Sequence, residues 1–258
     1  MLYEVKGLVL RTTDIGDTDR MITLYTESMG IVSAMAKGAR SLKSRKMAAA
    51  QQFCYSSMVL FEQGDKLWVR EASLIESFFD LRSSIEGLAL AGYIVEVIGT
   101  VATAEGDKEL LRLALNSLYA ISSARFDLNK VKAAFEIRTA AHIGFMPDVL
   151  GCARCGVGTG EFFFNIMAGA IECADCHHDA AQMHETLTES HESHILCPLS
   201  PGAKDALVYC VHCPSEKLFS FNIPEEDMRL FCRAAESYLC NHLERGFRSL
   251  DFYNEVKG

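Results

Sequence analysis

The sequence predicts an α+β protein that begins with a small β-barrel and continues as an α-helical domain. Three observations support this fold class. Segments rich in β-forming residues fill the first 80 residues, apolar residues at helical spacing dominate from residue 81, and two cysteine pairs flank a short hairpin. We therefore expect two domains, residues 1–80 and 81–258, with the cysteine-rich module inserted in the second at about 150–185.

The first 80 residues contain five segments typical of short β-strands, with turn residues about every ten positions. Aspartate and glycine crowd the first turn, between Asp14 and Asp19, and Gln63-Gly64-Asp65 separates the last two segments. Five short strands with this spacing indicate a small barrel or sandwich. A five-stranded barrel of this size is of the OB type. The predicted strands are residues 5–11, 21–26, 31–36, 53–61 and 67–77.

Six helices are predicted from residue 85 onward. Asp107 and Asp127 stand directly before the second and third helices, where a carboxylate can accept hydrogen bonds from the first N–H groups of a helix. Gly144 and Pro147 end the third helix, and Pro224 begins the fifth. The predicted ranges are 85–104, 108–122, 128–143, 201–212, 225–244 and 248–256.

Two Cys-x-x-Cys pairs are the sharpest local signal: Cys152 with Cys155 and, after seventeen residues, Cys173 with Cys176. Two residues between the thiols allow one turn to present both sulfurs to the same ion, and Gly156 can adopt the positive φ of such a turn. Residues 161–165 and 170–171 can form a hairpin that brings the pairs together. The pattern predicts a zinc-ribbon-like module with one Zn²⁺, which is structural because four thiolates leave no open coordination position.

The cysteines and histidines of the sequence also allow alternatives to this zinc site. The four cysteines can instead be two unrelated pairs of buried or redox-active thiols. Cys210 and Cys213 form a third pair that can compete for the metal, together with His177 or His178. Because both cysteines lie on a predicted helix, we favour the interpretation that they are apolar packing residues and not metal ligands. The later histidines lie in a polar stretch and are expected to be solvated: His184, His191 and His194.

Positive charge is concentrated in one predicted loop between two barrel strands. The chain has a formal net charge of −9, yet residues 1–80 are neutral and no acidic residue occurs between Glu27 and Glu62. Phosphate backbones attract such a loop, so we predict that it binds nucleic acid, and a solvated loop is the alternative. Arg11 and Arg20 on nearby strands extend the patch. Its five central residues are Lys37, Arg40, Lys43, Arg45 and Lys46.

Aromatic side chains in the barrel segment are candidates for stacking on the bases of a single strand. For each of them, however, we favour packing in the core of the barrel over stacking on a base. The four candidates are Tyr25, Phe53, Tyr55 and Trp68.

A series of motifs near the N-terminus carries a family resemblance. Residues 14–24 read Asp-Ile-Gly-Asp-Thr-Asp-Arg-Met-Ile-Thr-Leu, and Gly30-Ile-Val-Ser33 and Lys37-Gly-Ala-Arg40 follow. In order and spacing, this series resembles the start of the bacterial RecO family of DNA repair proteins. His142-Ile-Gly-Phe-Met-Pro147 resembles the family's segment before its zinc module, and Arg248-Ser-Leu-Asp-Phe252 resembles its closing helix.

The resemblance implies an N-terminal OB domain and a helical domain that carries a zinc module. It implies binding of single- and double-stranded DNA, annealing of complementary strands, partnership with RecR, and contact with the C-terminal tail of single-strand-binding protein, so that RecA is loaded on coated DNA. By position, the five central basic residues take the DNA-contact role. The tail-binding pocket is expected near Lys130, Lys132 or Arg138. Residues 186–199 and the Cys210/Cys213 pair depart from the family pattern.

Motifs of common enzyme classes are absent from the sequence. It contains no Gly-x4-Gly-Lys-Ser/Thr loop, no Gly-x-Ser-x-Gly elbow and no His-Glu-x-x-His pair. We therefore expect a DNA-binding mediator that acts without hydrolysis and is not an enzyme. A zinc-ribbon regulator of transcription or RNA and a thiol redox sensor are the alternatives. A nuclease would need a Mg²⁺ site, for which one turn offers Asp14, Asp17 and Asp19.

The sequence favours a cytoplasmic, nucleoid-associated protein. Residues 1–4 do not open a secretory signal. The longest apolar stretch, residues 88–104, is interrupted by Glu96 and is too short to span a bilayer. In the cytoplasm, cysteine thiols stay reduced or bind metal.

Overall fold

The structure is a computed structural model that describes residues 1–178 and 195–257. The chain divides into two compact units, one made of Met1–Arg125 with Phe247–Gly258 and the other of Phe126–Gly246. The domain boundary predicted near residue 80 coincides with the end of the barrel strands. The first compact unit, however, also includes the helices up to Arg125 and the closing helix.

Five strands close into a barrel in the order β1-β2-β3-β5-β4, as predicted for the OB-type unit. The β3–β5 pair is parallel, and the other four pairs around the barrel are antiparallel. All five predicted strands are confirmed, and the first is longer at both ends than expected. Their bounds are β1 (Leu2–Ile15), β2 (Asp19–Thr26), β3 (Gly30–Ala36), β4 (Tyr55–Gln63) and β5 (Lys66–Glu76).

Alternation of apolar and polar residues places one face of each strand in the barrel interior. On β4, Met58 and Leu60 are 2% and 0% exposed, whereas their sequence neighbours are partly exposed. They pack with Val9, Leu24 and Ala34 from the other strands. Burying a leucine side chain contributes roughly 1.5–3 kcal/mol, so a charged residue in place of Leu60 would break the barrel core.

Four helices belong to the same unit as the barrel: α1 (Lys46–Ala49), α2 (Ile85–Val101), α3 (Lys108–Ser122) and α7 (Arg248–Val256). Asp107 begins α3 as predicted, because its carboxylate accepts hydrogen bonds from the N–H groups of Glu109 and Leu110. Ser84 caps α2 in the same way. Tyr93 of α2 packs edge-on against Phe247, with ring centroids 5.5 Å apart, which anchors the start of α7.

The second unit combines helices with a small sheet. Its described elements are α4 (Leu128–His142), β6 (Phe162–Asn165), β7 (Ala170–Cys173), β8 (Leu196–Leu199), α5 (Pro201–His212) and α6 (Glu225–His242). The strands are ordered β7-β6-β8, so β6 and β7 form the predicted hairpin. Strand β8 was not predicted. The histidines expected to be solvated, His184, His191 and His194, lie outside the described residues.

Within the described ranges, every helix is too short or too polar to cross a membrane.

Candidate nucleic-acid interface and metal centre

The basic loop, residues 37–45, is a series of turns between β3 and α1 that is tied to the β1–β2 turn. The Asp19 carboxylate accepts the Gly38 N–H at 2.8 Å. Arg40 donates its backbone N–H to Thr18 O at 2.9 Å and Nη1 to Gly16 O at 2.7 Å. These contacts fix the backbone of the loop, so little backbone entropy is lost when the loop binds a ligand.

Asp14 holds two of the predicted DNA-contact arginines. Its carboxylate accepts Arg20 Nε at 2.8 Å and lies 3.2 Å from Arg40 Nε. The hydrogen bond from Arg20, with the charge of Arg40, lowers the pKa of Asp14. The Gly38 N–H likewise lowers the pKa of Asp19. Both carboxylates therefore bind residues of the basic loop and stabilise its conformation.

The predicted contact residues differ in what they touch. Lys46 donates Nζ to Val69 O at 2.7 Å, and partial burial lowers its pKa. Lys37, Lys43 and Arg45 are exposed, as is Arg11 on β1. Arg40 is exposed as well, but its side chain contacts Asp14 and Gly16 O. Because Lys46 is held against β5, the exposed loop cations without such a contact to the β1–β2 region are Lys37, Lys43 and Arg45.

One of the four candidate stacking aromatics lies beside a loop cation. Trp68 is partly exposed, with Lys37 Nζ 4.6 Å from its ring centroid. Tyr25 and Phe53 are 0% and 6% exposed and belong to the core, as the alternative expected. Tyr55 is partly buried and donates its hydroxyl hydrogen to Glu27.

A cavity of about 400 Å³ opens beside the basic loop and contains an arginine that the sequence analysis missed. Arg82 lies in a 3-10 helix, Phe79–Ser83, and donates Nη2 to Gln52 O at 3.2 Å. It is more than forty positions from Arg20 and Arg40, so only the closed fold brings the three together. No local sequence signal identifies it. The cavity is lined by Asp14, Arg20, Ala39, Arg40, Met47, Gln51, Gln52 and Arg82.

The four predicted metal ligands come together at the base of the β6–β7 hairpin. The sulfur atoms of Cys152, Cys155, Cys173 and Cys176 all lie within 4.8 Å of one another, and this group can hold a metal ion. Tetrahedral coordination at a Zn–S distance of about 2.3 Å separates sulfurs by about 3.8 Å. The separation of 3.6 Å between the sulfurs of Cys155 and Cys173 matches that value. The residues therefore fit a four-coordinate zinc ion.

Backbone geometry explains how the first cysteine pair is presented. Gly156 has a φ of +78°, and its N–H donates to Cys152 O at 2.8 Å, which closes the turn. A Cβ on Gly151 would lie 2.8 Å from Gly156 O, so the chain approaches itself too closely there for another residue. The side chain of Lys204 donates to Gly158 O at 2.5 Å, which ties the following loop to α5.

Cys152 and Cys176 differ in the direction of their pKa shifts. Burial opposes ionisation of Cys152, but backbone N–H groups of Cys173, Cys155 and Arg154 outweigh it and lower the pKa of Cys152 to about 6. Hydrogen bonding to the sulfurs of Cys155 and Cys173 raises the pKa of Cys176, because its thiolate would lie beside other negative charge. A divalent cation removes that repulsion, which is why such a cluster favours metal binding over four separate thiols.

The competing cysteine pair has a different environment. Cys210 is fully buried on α5, and burial raises the pKa of its thiol. Arg138 donates to the carbonyl oxygens of Cys210 and Cys213 at 2.7 and 2.6 Å. Among the described side chains, the four hairpin cysteines are the one group able to hold a metal, without Cys213 and without His177. Asp14, Asp17 and Asp19 do not form a metal-binding group among the described side chains. The nuclease alternative therefore has no Mg²⁺ site in this part of the chain.

Two of the three positions expected near a tail-binding pocket are engaged inside the fold. Lys132 is 2% exposed and pairs with Glu136 at 2.8 Å and Glu236 at 2.7 Å. Arg138 is occupied at the end of α5. The place of the pocket stays a prediction, and these contacts within the fold favour Lys130 among the three positions. Lys130 donates to the exposed Asn222.

Comparison with known proteins covers nearly the whole chain. A model of the N-terminal part of recombination protein O matches residues 1–78, and a model of its C-terminal part matches residues 82–251. The DNA repair protein RecO of Acetivibrio thermocellus is 32% identical over 96% of this chain and 95% of that protein. The DNA repair proteins RecO of Clostridium acetobutylicum and Thermoanaerobacter sp. are 23% and 26% identical, each over 99% of this chain and 98% of its own length.

Proposed function

The chain belongs to the RecO family of DNA repair and recombination proteins, and from that premise we propose that it anneals complementary DNA strands without hydrolysis. In this proposal it binds single- and double-stranded DNA and helps to load RecA on DNA coated with single-strand-binding protein. Its partners are RecR and the C-terminal tail of single-strand-binding protein. It acts in the cytoplasm, at the nucleoid, where its DNA substrate lies.

The observation that carries this proposal is the basic loop on the barrel. Lys37, Lys43 and Arg45 are exposed on a loop that Asp19 and Arg40 hold in place. Phosphate contacts by lysine and arginine supply affinity that does not depend on base sequence. A mediator that must act on any broken strand needs that kind of affinity.

Annealing requires only that two strands be held and partly neutralised until their bases pair. The cations of the loop can lower the repulsion between two phosphate backbones, and the Trp68 ring beside Lys37 offers a surface for an unpaired base. The remainder of the chain is acidic, which limits indiscriminate coating of DNA. Neither step consumes a nucleotide, so we propose that the protein is not an enzyme.

We also propose that the four hairpin cysteines hold one structural zinc ion. When bound, the ion closes the two Cys-x-x-Cys turns into one unit. Within that unit, backbone N–H groups stabilise the thiolate of Cys152, and Lys204 fixes the loop between the first cysteine pair and β6. The clustering of all four sulfurs favours this role over a thiol redox sensor.

For the tail of single-strand-binding protein, Lys130 is the position to test first. Its ammonium lies 5.4 Å from the centroid of the largely buried Phe221 ring, so this partly exposed cation packs on the edge of the apolar core.

The proposal is tested by the salt dependence of single-stranded DNA binding. The test variant reverses Lys37, Lys43 and Arg45 to glutamate, and a matched control reverses the exposed residues Lys108, Arg125 and Lys217. Each phosphate contact contributes about −0.7 to the slope of log K against log salt. We expect the test variant to bind more weakly and its slope to flatten by about 2, with the control unchanged. Equal slopes for all three proteins would refute the proposed interface.

A further inference from the structure

The cavity beside the basic loop has the composition of a phosphate site. Three guanidinium groups and one carboxylate line its volume of about 400 Å³: Arg20, Arg40, Arg82 and Asp14. Arginine forks match the geometry of phosphate oxygens and bind them through paired hydrogen bonds. Arg82 enters from the 3-10 helix that follows the barrel and is not part of the basic loop.

Contacts within the fold hold the three arginines in place without using up their donors. Arg20 donates Nε to Asp14, and Arg82 donates Nη2 to Gln52 O. Arg40 donates Nη1 to Gly16 O and forms an ion pair with Asp14, with Nε 3.2 Å from the carboxylate. A guanidinium has five N–H donors. Among the described contacts, each arginine therefore retains at least three N–H groups for a ligand.

The charge balance of the cavity favours one form of phosphate. Its lining combines three cations with one carboxylate, which is ionised at neutral pH like any exposed aspartate. The lining thus carries a net charge of about +2. A terminal phosphate monoester carries about −1.5 to −2 at pH 7, whereas an internal phosphodiester carries a single negative charge.

We propose that this cavity binds the phosphate monoester at one end of a DNA strand, and that Arg82 completes the site. The inference deepens the proposed function and rests on it, since DNA held by the basic loop would deliver the strand end to the cavity. A strand-annealing protein with this site would favour processed, phosphorylated ends over unphosphorylated ones.

The test compares oligonucleotides of one sequence that carry a 5′-phosphate, a 3′-phosphate or hydroxyls at both ends. Their affinities are measured for the wild-type protein, for Arg82→Gln, and for the control Arg125→Gln, which removes an exposed arginine outside the cavity. Loss of charge-assisted hydrogen bonds is expected to change affinity roughly tenfold. Wild type and control should bind one phosphorylated form roughly tenfold more tightly than the hydroxyl form, and Arg82→Gln should lose that preference. If Arg82→Gln does not fold, Arg82→Lys replaces it, because lysine keeps the charge and loses the fork.

Two results would overturn the inference and leave the proposed function standing. One is equal binding of all three oligonucleotides by the wild type. The other is an equal loss of affinity for all three in Arg82→Gln, which would assign Arg82 to internal phosphates. Binding of inorganic phosphate, measured by NMR titration, distinguishes a third outcome, in which no oligonucleotide binds. If it binds in an Arg82-dependent way while no oligonucleotide binds, the cavity remains a phosphate site and the proposed function fails.

Discussion

At the scale of single residues, the fold gives different tasks to cations that look alike in sequence. Lys43 and Lys46 are three positions apart in the same basic stretch. Lys43 is exposed, whereas Lys46 is partly buried and donates to the Val69 carbonyl on β5. The first can meet a phosphate, and the second joins the loop to the barrel.

This difference predicts opposite effects for two substitutions. Lys46→Met removes a hydrogen bond to a backbone carbonyl and should lower the free energy of unfolding by about 1 kcal/mol, with a small effect on DNA affinity. Lys43→Glu should weaken DNA binding and leave thermal unfolding nearly unchanged. Calorimetry and a fluorescence binding titration on both variants check this. A stable Lys46→Met protein that has lost DNA binding would contradict the assignment.

Asp14 gives a prediction for acid pH. Its pKa is lowered in the folded state by the hydrogen bond from Arg20, so its stabilising effect is complete above the ordinary aspartate pKa of about 3.9. That effect is lost as pH falls through the lower, folded-state value. An NMR titration should therefore find Asp14 ionising below the ordinary range, and Arg20→Gln should move the midpoint upward. The same midpoint in both proteins would exclude the Arg20 contact as the cause.

At the scale of elements, the cysteine hairpin is the part of the second unit whose geometry follows most directly from its residues. Gly156 allows the first turn, Gly169 has a φ of +65° in the β6–β7 connection, and the paired strands bring Cys173 to the first cysteine pair. Metal binding and folding of such an element are coupled.

Removing one ligand should therefore unfold the element and release its metal. Cys152→Ser is expected to lose zinc and to lower the melting temperature. Cys210→Ser is the matched control, because it removes a buried thiol outside the cluster and should keep the zinc. Elemental analysis and thermal unfolding measure both effects. Full zinc content in Cys152→Ser, or its loss in Cys210→Ser alone, would place the site elsewhere.

The turn before β3 depends on close approach as well as on backbone conformation. Gly30 has a φ of +57°, and a Cβ there would lie 2.1 Å from Thr103 O. Gly64, in the β4–β5 turn, has a φ of +60° and open space around it. Gly30→Ala should cost roughly 2–5 kcal/mol, and Gly64→Ala only the conformational part of about 1–2 kcal/mol. Equal losses in chemical denaturation would show that the approach to Thr103 is unimportant.

Local sequence signals predicted the elements well and the distant contacts poorly. The barrel strands and the capped helices followed from alternation, turn residues and the aspartates at 107 and 127. Strand β8 was missed because Cys197 and its neighbours follow a polar stretch, and only pairing with β6 makes them a strand. Arg82 was missed for a related reason, since barrel closure alone brings it to Arg20 and Arg40. The exposed cations remain a prediction that awaits a binding measurement.

At the scale of the whole molecule, charge is divided unequally along the chain. Residues 1–80 are neutral and contain the basic loop, and residues 81–258 account for the entire net charge of −9. We expect DNA to be bound by the barrel and repelled by acidic surfaces elsewhere. This division would suit the proposed annealing, in which two strands are held briefly and the paired product is released.

The measurement that tests this account most directly is annealing of complementary oligonucleotides coated with single-strand-binding protein. The wild-type protein is compared with the variant that reverses Lys37, Lys43 and Arg45, and with the variant that reverses Lys108, Arg125 and Lys217. We predict that the wild type and the second variant accelerate annealing and that the first variant does not. Failure of the wild type to anneal, or full activity of the first variant, would contradict the central claim that the basic loop is the working surface.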